Sequence, residues 1–203
     1  MKRETKIVGF FLLGALLPIV ALQAVHSAPE VNSEPRTMHV GWHRDYESLS
    51  ALIEDSDIVV VGVVTTLGEA FPVGDGVPFT ESQVRVTEVV TGRADIEVGD
   101  AITVRQTGGA VPGGRAAYVE DARLFYAGEE VVLFLTPGRA FDAWAPTGGK
   151  FGHFTLSDGE VHHANLEAFE GDDGAHPLAV AAEGKAPATF VAEVRSAATA
   201  ARQ

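Results

Sequence analysis

The middle of the chain alternates short apolar runs with polar turns, a pattern that indicates a β-rich domain. Residues 58–64 are β-branched throughout except for Gly62, and a strand that is apolar on both faces is expected to be buried on both faces. A glycine inside such a strand predicts a bend or a bulge, as the tight curl of a small barrel requires. We therefore predict that residues 59–64 are mostly buried and that Gly62 lies at an irregularity.

The remaining pattern predicts several more strands and two helices. Further strands are predicted at residues 79–90, 101–106, 131–135 and 141–145, with a short edge segment at 118–119. Residues 151–156 and 161–164 predict a hairpin, because the Asp158-Gly159 pair between them is a strong turn signal. Amphipathic spacing predicts helices at residues 45–54 and 189–201, whereas residues 165–188 are loop-like and acidic.

These elements predict the fold class. No long helical crossover separates neighbouring strands, so antiparallel order is favoured. Six or seven short strands with a helix at each end fit a mainly β fold, a small antiparallel OB-like β-barrel with short flanking helices. A β-sandwich is the alternative. We expect residues 45–203 to form this single domain and residues 28–44, which lack periodicity, to form a linker.

The N-terminus predicts export. Lys2, Arg3 and Lys6 precede an almost wholly apolar stretch at residues 7–25, which is the layout of a signal peptide. We expect residues 1–27 to be removed after Ser27, which makes the protein secreted or exposed on the outer side of the cell membrane. The alternative is an uncleaved single-pass anchor, since about 20 apolar residues span a bilayer, and it also places the domain outside the cytoplasm.

The composition of the chain excludes some kinds of functional site and some classes of partner. The chain has no cysteine, so disulfides, thiolate zinc sites and cysteine nucleophiles are excluded. The net charge is −13, and loss of the basic N-terminal residues makes the remaining chain more acidic still. Such a surface repels phosphates and anionic lipids. We therefore expect no nucleic-acid partner, and membrane contact only through an uncleaved N-terminal segment.

Three segments together resemble a known family. Residues 56–64 resemble the first strand of netrin-like (tissue-inhibitor-of-metalloproteinase-like) OB domains, and residues 84–92 resemble their second strand. Residues 128–135, Gly-Glu-Glu followed by an apolar strand, are similar to the Gly-Glu-x-Tyr-Leu-x-Phe strand of that family. The resemblance spans residues 56–135 and implies an OB-type barrel.

The same three segments, followed by residues 149–154, are more similar to a group of uncharacterised exported bacterial proteins, a resemblance that implies no established activity. Netrin-like inhibitors contain disulfides, and the metalloproteinase inhibitors bind the zinc of their target through an N-terminal cysteine. Because this chain has no cysteine, the resemblance implies the fold and not the inhibitory chemistry.

Catalytic motifs are not apparent in the sequence. It contains no G-x-S-x-G elbow, H-E-x-x-H pair, P-loop or dinucleotide fingerprint. We therefore expect a non-catalytic binding or interaction module without a cofactor, whose partner is a protein or a saccharide. An exported hydrolase whose site is assembled from residues distant in sequence is the alternative.

Two groups of residues are weaker candidates for a site. The candidates for metal ligands are His162, Asp172, Asp173 and His176. His162 and the adjacent His163 should point to opposite faces of a strand, so both cannot readily bind one ion. A second pair of histidines is His39 and His43. Trp42 in the linker and Trp144 on a predicted strand are candidates for partner contact. Without any ligand, the histidines and aspartates would be residues of solvated turns, and Trp144 would lie in the core or at the rim of the barrel.

Overall fold

The structure is a computed structural model, and it describes residues 34–41, 44–74, 76–92, 95–120, 122–138, 142–165 and 176–201. The strands are β1 (Arg36–Met38), β2 (Ile58–Leu67), β3 (Phe71–Val73), β4 (Val77–Gly92), β5 (Ala101–Gly109), β6 (Ala117–Val119), β7 (Glu130–Pro137), β8 (Trp144–Pro146), β9 (His153–Ser157) and β10 (Glu160–His163). The helices are α1 (Leu49–Glu54), α2 (Pro177–Ala182) and α3 (Pro187–Ala200), and a 3₁₀ turn covers Gly149–Gly152. None of the helices in these ranges is long and apolar enough to cross a membrane. The predicted signal segment, residues 1–27, lies outside the described residues.

Five strands close into a barrel. Their order is β5–β4–β2–β7–β8, and β8 returns to β5. All neighbouring pairs are antiparallel except β5 and β8, which pair in parallel with Val104 opposite Trp144. The predicted small OB-like barrel with short flanking helices is thus confirmed, and the sandwich alternative does not describe this closed sheet.

Strand β7 shares one of its edges between two partners. Its C-terminal half pairs with β8, from Leu135 opposite Pro146 to Pro137 opposite Trp144. Its N-terminal half pairs with β9, from Glu130 opposite Leu156 to Leu133 opposite His153. Strands β8 and β9 therefore separate along β7, at a point that we call the fork.

The hairpin formed by β9 and β10 extends beyond the barrel wall. Its turn has positive φ at both central residues, 54° at Asp158 and 80° at Gly159, which is the type I′ turn that the Asp-Gly pair predicts. The predicted hairpin is confirmed, although residues 149–152 form a 3₁₀ turn rather than the start of its first strand.

Alternation along β7 divides the core into two parts. Val131, Leu133 and Leu135 face the barrel interior, where they pack with Val60, Val84, Val104 and Phe125 among others. Val132 and Phe134 face the opposite way and pack with Phe154 and with Phe190 and Val194 of α3. Because side chains alternate across a strand, the apolar sequence of β7 reflects burial on both faces.

Two segments predicted to be irregular contain regular structure. Within the predicted linker, β1 pairs in parallel with β6, with Thr37 opposite Tyr118. Within the predicted acidic loop, α2 buries Leu178 and Ala182 against the helical side of the core. Both elements are too short to show periodicity, and contacts distant in sequence stabilise them.

The bulge predicted at Gly62 is confirmed. The β2–β4 pairing shifts register between Val61 and Gly62, and residues 59–64 are buried or partly buried. A Cβ atom added at Gly62 would lie 2.7 Å from Val84 Cγ1 and 2.8 Å from the carbonyl oxygen of Arg85. The glycine therefore allows the two strands to approach each other at the bulge.

We predict that Gly62→Val lowers the free energy of unfolding by at least ~1–3 kcal/mol, because overpacking of a close backbone approach forces the strands apart. Thr66→Val is the matched control on the same strand. Thr66 is exposed, and surface changes usually alter stability by less than about 0.5 kcal/mol. Urea denaturation of both variants measures the difference, and equal stabilities would contradict the close-packed bulge.

Candidate functional site

An open cleft of about 1040 Å³ lies beside the fork. One wall is the β9–β10 hairpin, and the other is formed by Glu120 and residues 122–130, which lie between β6 and β7 in the sequence. Among its lining residues, those with charged or aromatic side chains are Glu120, Arg123, Tyr126, Glu129, Glu130, His162, His163 and Glu183. Carboxylates outnumber cations in this set, in line with the acidity of the whole chain.

The side chain of Arg123 links the two walls. Its Nε donates to the carbonyl of Ala164 at 2.9 Å, and its terminal nitrogens form an ion pair with Glu129. Its backbone N–H donates to Asn165 Oδ1 at 2.8 Å, while its own carbonyl accepts from Gln106 Nε2 at 3.0 Å. The barrel, the connecting segment and the hairpin are held together at this residue.

Tyr126 forms an aromatic rim at the mouth of the cleft. Its side chain is 64% exposed, and the guanidinium carbon of Arg123 lies 5.0 Å from the centre of its ring. The backbone N–H of Tyr126 donates to Glu129 Oε2 at 3.1 Å. An exposed tyrosine held by a fixed backbone offers contact area at a low cost in entropy.

The outer edge of β10 is covered by the segment between α2 and α3. The N–H of Val161 donates to the carbonyl of Lys185 at 2.8 Å, and the N–H of His163 donates to Glu183 Oε2 at 3.2 Å. The other oxygen of Glu183 lies 2.6 Å from His162 Nδ1, and this hydrogen bond raises the pKa of His162. These contacts cap the edge, so an added strand cannot pair there.

A smaller cavity of about 190 Å³, which we call the fork cavity, lies between the barrel and the hairpin. It is lined by Arg105, Gln106 and Thr107 of β5, by Ala145 and Pro146 of β8, and by Ala122, Arg123, Gly149, His153 and Asn165. Ala122, Arg123 and Asn165 also line the cleft, and these three residues therefore form the wall between the two spaces.

His153 lies at the fork and has no hydrogen-bond partner on either ring nitrogen within the described part of the chain. The ring is 1% exposed and packs edge-on against Phe125, with centroids 4.6 Å apart. The closest approach to a carboxylate is 3.8 Å, from Nε2 to Glu129 Oε2. Burial, and then the positive charge of Arg123, hold the pKa of His153 well below its usual value, so the ring is neutral.

His163 is a second buried, neutral histidine, on the opposite side of the hairpin. Its Nδ1 accepts the N–H of Asn165 at 3.2 Å, and its ring packs edge-on against Phe154. Burial lowers the pKa of His163 to about 3. His162 and His163 face opposite sides of β10 with different partners, as strand geometry predicts.

The proposed metal ligands are only partly described. His162 contacts Glu183, whereas His176 caps α2 and contacts Asp45 at 3.1 Å; Asp172 and Asp173 lie outside the described residues. His39 contacts Glu120, and His43 is not described. Across the described ranges, no group of three or more histidine, aspartate or glutamate side chains is arranged to hold a metal ion.

Of the two tryptophans predicted to contact a partner, the structure describes one. Trp144 lies on β8, the strand that closes the barrel, where it is partly buried and packs against the barrel core. Its position therefore fits the rim interpretation better than an exposed contact. Trp42 lies outside the described residues.

Sequence reasoning missed the residues at the centre of this site. Arg123 and Glu129 lie six positions apart in a connecting segment without periodicity, and His153 begins a strand whose second partner is 20 residues away. The signal available was the Gly128-Glu129-Glu130 motif. No family model matches the sequence, and no curated protein matches it significantly.

We predict that the protein loses stability when the pH falls below about 6.5. A histidine whose pKa is lowered by folding binds its proton more readily in the unfolded chain, so its stabilising contribution is complete above 6.5 and declines below it. For each of His153 and His163 the decline approaches about 1.4 kcal/mol per pH unit. Urea titrations between pH 7.5 and pH 5, where most carboxylates remain ionised, measure it.

The variant His153→Phe isolates one of the two contributions. Phenylalanine keeps a planar ring beside Phe125 and removes both nitrogens, so the acid dependence should fall by about half. His162→Phe is the control: the raised pKa of His162 contributes stability that is complete below about 6.5 and is lost at higher pH, so this variant should not reduce the acid dependence. An unchanged acid dependence in His153→Phe would show that His153 is not a buried neutral group.

Proposed function

We propose that the protein is an exported, non-catalytic binding module that engages a protein or saccharide partner in the cleft between the β9–β10 hairpin and residues 122–130. The observation that carries the proposal is the cleft itself, whose two walls are joined by Arg123 and Glu129. Its volume of about 1040 Å³ lies at the upper end of the range for ligand sites.

The chemistry of the lining favours a cationic or hydroxyl-rich partner. Glu120, Glu129, Glu130 and Glu183 surround a space in which Tyr126 is the exposed aromatic group. A lysine or arginine side chain of a partner protein would find carboxylates and an aromatic face together. A sugar ring would stack on the tyrosine and donate its hydroxyl groups to the same carboxylates.

The rigidity of the cleft also supports recognition. Glu129 is fixed by Arg123 and by the N–H of Tyr126, and Glu183 is fixed by His162 and by the N–H of His163. Groups that are already oriented lose little freedom on binding, which favours affinity. These carboxylates are engaged in structural pairs, so they are poorly suited to act as a general acid or base.

The proposed location follows from the N-terminal sequence. Lys2, Arg3 and Lys6 with the apolar stretch at residues 7–25 favour export, and the absence of cysteine leaves the core as the source of stability. The acidic surface suits a partner outside the cytoplasm that carries positive charge. The resemblance to netrin-like OB domains agrees with this proposal and does not specify the partner.

A photoreactive side chain in the cleft tests the proposal. When Tyr126→benzoylphenylalanine is expressed as the full chain in exporting cells, illumination should give one dominant covalent adduct outside the cytoplasm. Mass spectrometry then identifies the adduct as protein or saccharide. Adding Glu130→Gln should reduce the yield by about threefold, because a charge at the rim affects encounter with the partner.

Val98→benzoylphenylalanine is the matched control. Val98 is 66% exposed in the connection between β4 and β5, and it does not line the cleft. Equal adduct yields at positions 98 and 126 would show that the cleft is not the binding surface. Turnover of an ester, peptide or glycoside by the purified domain would instead favour the exported hydrolase.

A further inference from the structure

The buried imidazole of His153 is a polar group with unused hydrogen-bonding capacity beside a cavity. A neutral imidazole has one N–H donor and one nitrogen acceptor, and neither is paired within the described residues. Buried polar groups in proteins are nearly always paired with protein, water or ligand. The edge-on contact with Phe125 replaces a hydrogen bond only weakly. A partner for His153 is therefore expected to come from the fork cavity that its side chain lines.

The charges around the fork cavity indicate the kind of partner. Arg105 and Arg123 line it, and among the described residues no aspartate or glutamate does. Arg105 pairs with Glu81 and Arg123 with Glu129, and Glu129 Oε2 also lies 3.8 Å from His153 Nε2. The positive charge of Arg123 acts on the ring and, after burial, contributes to the lowered pKa of His153. A lining with two guanidinium groups and a neutral imidazole that can donate a hydrogen bond favours an anion over a cation.

We propose that the fork cavity binds a carboxylate group, which accepts a hydrogen bond from the ring N–H of His153 and lies beside the guanidinium of Arg123. The fork cavity is a space separate from the proposed cleft, and its ligand carries the opposite charge to the cationic partner proposed there. A carboxylate suits the site because charge-assisted hydrogen bonds to an anion are the strong ones.

The size and walls of the cavity limit the ligand. At about 190 Å³ it holds several waters or a small organic acid, and it is smaller than most drug-sized sites. The ring nitrogens of His153 are not in contact with solvent, so the carboxylate reaches them only when a wall side chain turns. The wall shared with the cleft consists of Ala122, Arg123 and Asn165, and Arg123 is the long side chain among them.

Two sources present the same group to the cavity. One is a free small acid that occupies the cavity alone. The other is the C-terminal carboxylate of a peptide whose remaining residues extend through the wall into the cleft. Both require the hydrogen bond from His153, and they differ in whether added chain length improves binding.

Nuclear magnetic resonance of the signal-free chain, residues 28–203, tests the proposal with four probes at constant ionic strength. Acetate and acetamide compare acid with amide for the free ligand, and triglycine and triglycine amide do so for the peptide. We expect saturable shifts of the His153 ring nitrogens, of Arg123 Nε and of the Gly149 amide with acetate, triglycine or both, and not with either amide. Tighter binding of triglycine than of acetate identifies the peptide source, and the reverse identifies the free acid.

Two histidine variants localise the binding. His153→Phe should weaken carboxylate binding by about tenfold or more, because it removes the donor and keeps the ring. His162 lines the cleft and not the fork cavity, so His162→Phe should leave the binding of acetate, which does not reach the cleft, unchanged. If His153→Phe does not fold, the ring-nitrogen shifts of the unaltered protein decide the question by themselves.

Three results would overturn the proposal. The first is equal shifts with the acids and their amides. The second is shifts that spread over the surface without saturation. The third is water in contact with His153 that no acid displaces, which would make the cavity a hydrated packing defect. None of these bears on the adduct at position 126, so the cleft and the fork cavity can fail independently.

Discussion

The division of one edge of β7 between β8 and β9 is the constraint on which the rest of the structure depends. Both faces of β7 are buried, since Leu133 faces the barrel core and Phe134 faces the helical core. Its edge serves two functions as well: Leu135 and the residues after it close the barrel, and Glu130 to Leu133 support the hairpin. A strand with both faces and both edges in use has little freedom to shift register.

The fork is a direct consequence of that division. Where two strands part from a common neighbour, the space between them cannot be filled by the sheet itself. The chain fills it with the segment at residues 122–130, and the pairing of Arg123 with Glu129 holds this segment against both the barrel and the hairpin. The cleft and the fork cavity are what remains on either side of the Arg123 side chain. Closure of the barrel thus determines where polar groups become buried.

The sequence was most informative where burial is continuous and contacts are local. The β-branched run around Gly62, the apolar strand after Glu130 and the Asp158-Gly159 turn each specify their own conformation, and all three agree with the structure. The barrel followed from the number and spacing of such strands. By contrast, β1 has three residues and depends on pairing with β6, about 80 positions away, so no local pattern could reveal it.

The residues of the site could not be predicted from the sequence for a related reason. Arg123, Glu129 and His153 come together only after β7 has paired with two different strands, and nothing in the sequence states that one edge will be shared. His162 and His163 are conspicuous in the sequence because they are adjacent, but their side chains lie on opposite faces of the strand. The isolated histidine at position 153, at the start of a strand beside Phe125, is the one whose two ring nitrogens both lack a hydrogen-bond partner within the described residues. Burial without a partner is a property of tertiary structure.

A pH titration of the ring nitrogens of His153 in the folded protein tests whether the fork encloses this side chain. Nitrogen-15 chemical shifts distinguish the two neutral tautomers from the charged ring. If the fork encloses this side chain as described, His153 remains a neutral imidazole from pH 8 to well below pH 6.5, because burial and the charge of Arg123 hold its pKa low. A His153 ring that titrates near the ordinary value of 6.5 would show that the fork is open to water, and it would contradict the claim that the shared edge of β7 creates an enclosed polar site.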